Sequence, residues 1–99
     1  MPKIYKYLGF YISFFVNEHL PIHIHIKRGE REIKAEFHYI NGELKVVYKK
    51  TRNAPLRSDE ISEIEPFLQK YHKKIADKWK QVFILDEPVK MEEVKRKIK

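Results

Sequence analysis

Cysteine is absent from the 99 residues, so disulfides and thiolate metal sites are excluded. Glycine is scarce, with three residues, and no glycine-rich phosphate loop is present; this argues against nucleotide hydrolysis and dinucleotide binding. Ser13 has no G-x-S-x-G setting, which argues against acyl transfer. Long apolar runs are also missing: the longest near the start, residues 8–16, is interrupted by Ser13 and falls far short of the roughly 20 residues that span a bilayer. The expectation is a cytoplasmic protein without membrane contact. Arginine is sparse among the basic residues, standing only at 28, 31, 52, 57 and 96. Base reading leans on bidentate arginine, so any nucleic-acid contact is expected on phosphate.

What the chain does have is charge and a foldable apolar fraction. Apolar residues make up 42% and charged residues 35%, the balance of a folded domain, and the length suits one. A single domain over 1–85 and a charged tail over 86–99 are expected. The formal net charge of +7 favours an acidic partner, either nucleic acid or protein.

Two turn signals organise the first half. Gly29-Glu30 suits a type II′ turn and Asn41-Gly42 a type I′ turn. The first sets Ile26 opposite Ile33, Ile24 opposite Ala35 and Ile22 opposite Phe37, all apolar and on one face. The second sets Tyr39 opposite Leu44, Phe37 opposite Val46 and Ala35 opposite Tyr48, which extends the same face. A slip of one residue would invert every pair, so the two signals support each other. Alternation at Phe10, Ile12, Phe14 and Val16 reads as a further strand, and Lys3–Tyr7 as a short edge strand.

From Ser58 the period changes. Ile61, Ile64, Leu68, Tyr71, Ile75, Trp79, Val82 and Phe83 recur at steps of three and four, an amphipathic helix to Phe83. Ser58 is the expected N-cap, and Pro66 is expected to kink or split the helix. The fold class is therefore α+β: an antiparallel meander of about four strands with one long, Pro-kinked helix on its apolar face. In the tail, Val89, Met91 and Val94 suit a last strand and residues 91–99 a short helix; both readings stay open.

The residues with chemical potential lie on the opposite face. Asn17-Glu18-His19-Leu20-Pro21-Ile22-His23-Ile24-His25 holds three of five histidines, and its alternation puts His23 and His25 on the polar side with Tyr11, Ser13, Lys27, Glu32, Lys34, Glu36 and His38. Three readings stand side by side. In the first, two histidines of the group His19, His23 and His25 exchange protons with RNA while Lys27, Arg28 or Lys34 holds phosphate. In the second, His19, His23 and His25 form a facial triad for a divalent metal. In the third, the face is a mixed-charge surface that docks an acidic protein without chemistry.

The E-H-x-P-x-H-x-H segment, with Met1-Pro2-Lys3-Ile4, Gly9-Phe10, Tyr71-His72 and Trp79, resembles the small bacterial domain-of-unknown-function family 4160 over about residues 1–83. Some members of that family are named as toxins of type II toxin–antitoxin pairs. The resemblance implies a small intracellular protein that slows growth until an acidic antitoxin binds it. It also places the family motif on Glu18, His19, Pro21, His23 and His25, with His72 and Trp79 in the helix, and so adds Glu18 to the candidate catalytic group. Ile22, where an aromatic or proline is common, Pro66 and the longer basic tail depart from the family pattern.

Overall fold

The computed structural model describes residues 3–14 and 21–98. Five strands form an antiparallel meander: β1 (Lys3–Tyr7), β2 (Phe10–Phe14), β3 (Ile22–Arg28), β4 (Arg31–Ile40) and β5 (Glu43–Lys50). The helix α1 (Ser58–Phe83) follows, and β6 (Glu92–Val94) returns to pair in parallel with β1. The sheet order is β5-β4-β3-β2-β1-β6. Beside the four strands of the expected meander stand the short edge strand expected at Lys3–Tyr7 and, of the two readings open for the tail, a strand at Glu92–Val94. Lys3–Tyr7 is a full partner of β2, and Glu92–Val94 closes the far edge. Glu-Glu-Val carries no apolar alternation, so its strand character comes from the neighbour that it pairs with.

Both predicted turns set the register as their chemistry requires. Arg28 pairs with Arg31, Ile26 with Ile33, Ile24 with Ala35 and Ile22 with Phe37. Tyr39 pairs with Leu44, Phe37 with Val46 and Ala35 with Tyr48. Asn41 and Gly42 both take positive φ (52° and 80°), as a type I′ turn demands. A third tight turn, unmarked by any Asn or Asp, joins β1 to β2. There Leu8 takes φ 47°, a conformation that costs a residue with a Cβ about 1–2 kcal/mol. Arg28 offsets that strain: its Nη2 donates to the Leu8 carbonyl at 2.7 Å while the guanidinium lies 3.9 Å from the Phe10 ring centroid.

The helix runs unbroken through Pro66, so the proline does not split it. Ile64, Phe67 and Leu68, all fully buried, anchor the turns on either side of the lost backbone donor. The N-cap is Arg57, one residue before the Ser58 expected from sequence. No small hydroxyl does the capping; Glu60 Oε1 reaches back to accept from the Arg57 backbone N–H at 2.9 Å, the acidic half of a capping box. The apolar stripe covers the sheet face formed by Ile4, Tyr5, Tyr7, Phe10, Ile12, Phe14, Ile24, Ile26, Ala35 and Phe37, each at most 2% exposed. Trp79 lies in this core, tilted against Phe83 at 5.6 Å, and Phe83 meets Phe14 edge-on at 5.8 Å. Among the described residues no helix is long and apolar enough to cross a membrane.

Candidate functional site

Strand alternation delivers His23, His25 and Lys27 to the face that α1 leaves uncovered. The register then sets Glu36 beside His23, Lys34 beside His25, and both Glu32 and Tyr11 beside Lys27. This face is less wet than a bare sheet surface. The side chains of His23 and His25 are 13% and 12% exposed, and those of Glu36 and Glu32 are 9% and 13% exposed.

Two carboxylates organise it. Glu36 Oε2 lies 3.1 Å from His23 Nε2 and 3.1 Å from Lys49 Nζ, and its Oε1 lies 3.1 Å from His38 Nε2. The hydrogen bonds from His38 and Lys49 outweigh burial and hold the Glu36 carboxyl far below its ordinary 4.5, at about 2. Glu32 Oε2 lies 3.1 Å from His25 Nδ1, and its Oε1 accepts from Asn53 Nδ2 at 3.0 Å. Burial pushes the Glu32 carboxyl up, but hydrogen bonds from Asn53, His25 and Thr51 overcome it and leave the group below its ordinary value. Both carboxylates are ionised at neutral pH.

Beside His25 the face dips into a concave space of about 540 Å³ lined by Lys3, Tyr11, Ser13, Lys27, Gly29 and Glu32. Lys3 Nζ and Lys6 Nζ lie 5.0 and 5.3 Å from the Tyr11 ring centroid. A histidine oriented by a carboxylate, at the edge of a hollow rimmed by ammonium groups, can hold an anionic ester and move a proton at it.

Glu36 also sets an acid limit on the fold. Its carboxyl sits lower folded than unfolded, so its contribution is full above about 4.5 and is lost as pH falls towards about 2. Melting temperature measured from pH 7 to pH 3 is expected to fall less steeply in Glu36→Gln than in the parent chain. At pH 7 the same variant should be less stable by about 1.5–3 kcal/mol, the usual range for hydrogen bonds to a charged group. Parallel pH curves for the two proteins would refute this assignment.

The structure brings together His23, His25, Lys27 and Lys34 of the sequence-predicted site. Arg28 is elsewhere. It shares the parity of Ile26 and therefore faces the helix, where Nη2 meets Glu63 Oε2 at 2.9 Å. It is a tie between two turns and α1, and it does not face the hollow. Glu18 and His19 lie outside the described residues. Among the described residues no group of three or more His, Cys, Asp or Glu could hold a metal ion. The predicted metal triad therefore rests on His19. His72 lies on the helix side, its Nδ1 3.0 Å from the Tyr39 hydroxyl. Burial pushes its pKa down, and Lys73 adds to the effect. Strand parity puts Glu32 and Glu36 on this face without a role, and the structure makes them the partners of His25 and His23. Glu36 was legible as the cross-strand partner of His23, whereas Glu32 meets His25 diagonally, a contact that register alone does not name.

Residues 9–80, which span β2 to β5 and most of α1, match the family described as a domain of unknown function, DUF4160. The chain belongs to the DUF4160 family. The histidine strand and both organising carboxylates fall inside the matched segment of this DUF4160 domain, whereas β1 and β6 fall outside it. No curated protein and no solved structure matches the chain.

Proposed function

We propose that this DUF4160 domain is the toxin of a bacterial type II toxin–antitoxin pair, acting in the cytoplasm on RNA. The observation that carries the reading is the His25–Glu32 contact of 3.1 Å beside the lysine-rimmed hollow. Glu32, ionised, accepts the Nδ1 proton and leaves Nε2 as the basic nitrogen. Nε2, which has almost no exposed surface in this structure, must be uncovered to take the proton of a ribose 2′-hydroxyl, after which the 2′-oxygen bonds to phosphorus. The bond from phosphorus to the 5′-oxygen breaks, and that oxygen takes a proton from His23, which does not line the hollow in this structure and must turn towards it to give the proton. The products are a 2′,3′-cyclic phosphate and a free 5′-hydroxyl. Lys3, Lys27 and Lys34 hold the phosphate, and Glu36 orients His23 at 3.1 Å. The resemblance to proteins named as toxins supports the same reading, and the net charge of +7 suits an acidic antitoxin.

A second reading has its own observation. Lys3, Lys6, Lys27, Lys34, Lys45 and Lys49 outnumber Glu32, Glu36, Glu43 and Glu93 on this face, which suits docking of an acidic protein with no chemistry. Induction of the chain alone in a bacterial culture separates the two. Growth is expected to stop, and His25→Ala is expected to restore it while slowing RNA cleavage by the purified protein about 10²- to 10⁴-fold. Circular dichroism of the variant should match that of the parent. Arrest that persists in soluble His23→Ala, His25→Ala protein would exclude the catalytic reading and favour docking. Normal growth with the parent chain well expressed would exclude the toxin.

A further inference from the structure

The two edges of the sheet are finished differently. Beyond β1 the three residues of β6 close the ladder, and Ile98 N–H donates to the Tyr7 hydroxyl at 3.0 Å. Beyond β5 no described strand follows, and the edge runs for eight residues.

Hairpin geometry shows which groups that edge presents. In a two-residue turn the flanking residues, Ile40 and Glu43, exchange backbone hydrogen bonds. The exchange then recurs at His38 with Lys45, Glu36 with Val47 and Lys34 with Lys49. Leu44, Val46 and Tyr48 consequently turn their N–H and C=O groups away from β4. Two contacts agree with this parity. Gln69 Nε2 donates to the outward Leu44 carbonyl at 3.2 Å, and Glu32 N–H, on the β5 side of β4, donates to the Ala54 carbonyl at 2.8 Å. Among the described residues the backbone groups of Val46 and Tyr48 make no such bond. An open edge of this length is a template for another strand.

We infer that the β5 edge receives an extended acidic segment of a protein partner, which adds a seventh strand beside Val46 and Tyr48. Charge selects the occupant. Lys45 and Lys49 project from β5 on the polar face, and Lys49 Nζ, 52% exposed, holds Glu36 at 3.1 Å. A strand with acidic residues at alternate positions sets them opposite these lysines, with its apolar residues on the Val46 side. A second copy of this chain sets Lys45 opposite Lys49 in the register centred on Val47, and in the register centred on Val46 it offers Lys49 only Glu43 and leaves Lys45 opposite Val47, whereas an acidic strand meets both lysines with carboxylates. The inference goes beyond the RNA chemistry and does not depend on it. It names a backbone-directed mode of docking, as in β-strand addition generally.

The test uses the whole chain and an eight-residue peptide of alternating valine and glutamate. Two controls are the same peptide N-methylated at alternate backbone nitrogens, and an alternating valine–lysine peptide. The acidic peptide is expected to slow amide exchange at Val46 and Tyr48 and to bind at least tenfold more tightly than either control. Val46→Pro removes an outward donor, with no ladder bond lost, and part of a half-buried side chain, and is expected to weaken the acidic peptide at least tenfold with an unchanged circular dichroism spectrum. Should that variant fail to fold, the methylated peptide on the parent chain decides. Equal binding of the methylated and parent peptides would mean charge attraction alone and overturn the proposal. Binding without protection at Val46 and Tyr48, or no binding of the acidic peptide, would also overturn it.

Discussion

Truncation of Phe67 to alanine should cost about 3–5 kcal/mol of folding stability, read as a lowered urea midpoint with an unchanged slope. Phe67 is fully buried. Its ring stacks on Tyr7 and on Tyr71, each at 4.5 Å, and meets Tyr5 edge-on at 5.4 Å. Three rings from two elements therefore line the void that alanine would leave, and rigid rings close over a void poorly. Loss of transfer energy and the residual cavity act together. Phe67→Leu should recover part of the loss, since it refills some of the volume. A cost below about 1 kcal/mol for the alanine variant would show that the sheet and the helix relax into the gap.

Glu60→Ala should cost about 1.5–3 kcal/mol, because it removes a buried carboxylate that accepts charge-assisted hydrogen bonds, while the arginines it leaves behind keep part of their surface in water. Glu60 is 3% exposed. Its Oε1 lies 3.1 Å from Arg31 Nε and 2.9 Å from the Arg57 backbone nitrogen, and its Oε2 lies 3.7 Å from Arg28 Nη1. One side chain thus caps the helix and neutralises the β3–β4 turn beneath it. Glu60→Gln keeps an acceptor for the Arg57 N–H and should lose less. Glu63 gives the contrast: it also pairs with Arg28, but its side chain is 30% exposed, and its alanine variant should cost about 1 kcal/mol or less. Equal losses at Glu60 and Glu63 would contradict the distinction drawn from burial.

The sheet was legible where two independent signals had to agree. Gly29-Glu30 and Asn41-Gly42 each fix a register, and both registers send the same apolar residues to one face. The β1–β2 turn was harder to read because Leu8 stands where an Asn or Asp would normally announce it. Phe67 was missed for a related reason: Pro66 interrupts the stripe just where Phe67 belongs to it. The capping residue escaped because the cap is tertiary. Glu60 is fixed by arginines of the β3–β4 turn, and no local rule at Ser58 contains that information.

In the candidate site, strand parity correctly grouped His23, His25, Lys27 and Lys34 on one face. Parity also placed Arg28 with the isoleucines, but its charge suggested phosphate. The structure resolves that conflict by giving the guanidinium two carboxylates and a carbonyl on the helix side. Pairing of His25 with Glu32 depends on side-chain reach across a diagonal, which the twist of the strands sets and which the order of residues leaves open.

The parallel pairing of β1 with β6 joins Tyr5 to Glu92, 87 positions apart in sequence. The three hairpin turns each close a loop of two residues, and the helix covers the meander directly after it. Loop-closure entropy therefore ranks the steps of assembly: the hairpins can zip early, and β6 can dock only on a β1 already held by β2 and α1. Until β6 docks, the sheet thus stands as five strands with both of its edges open.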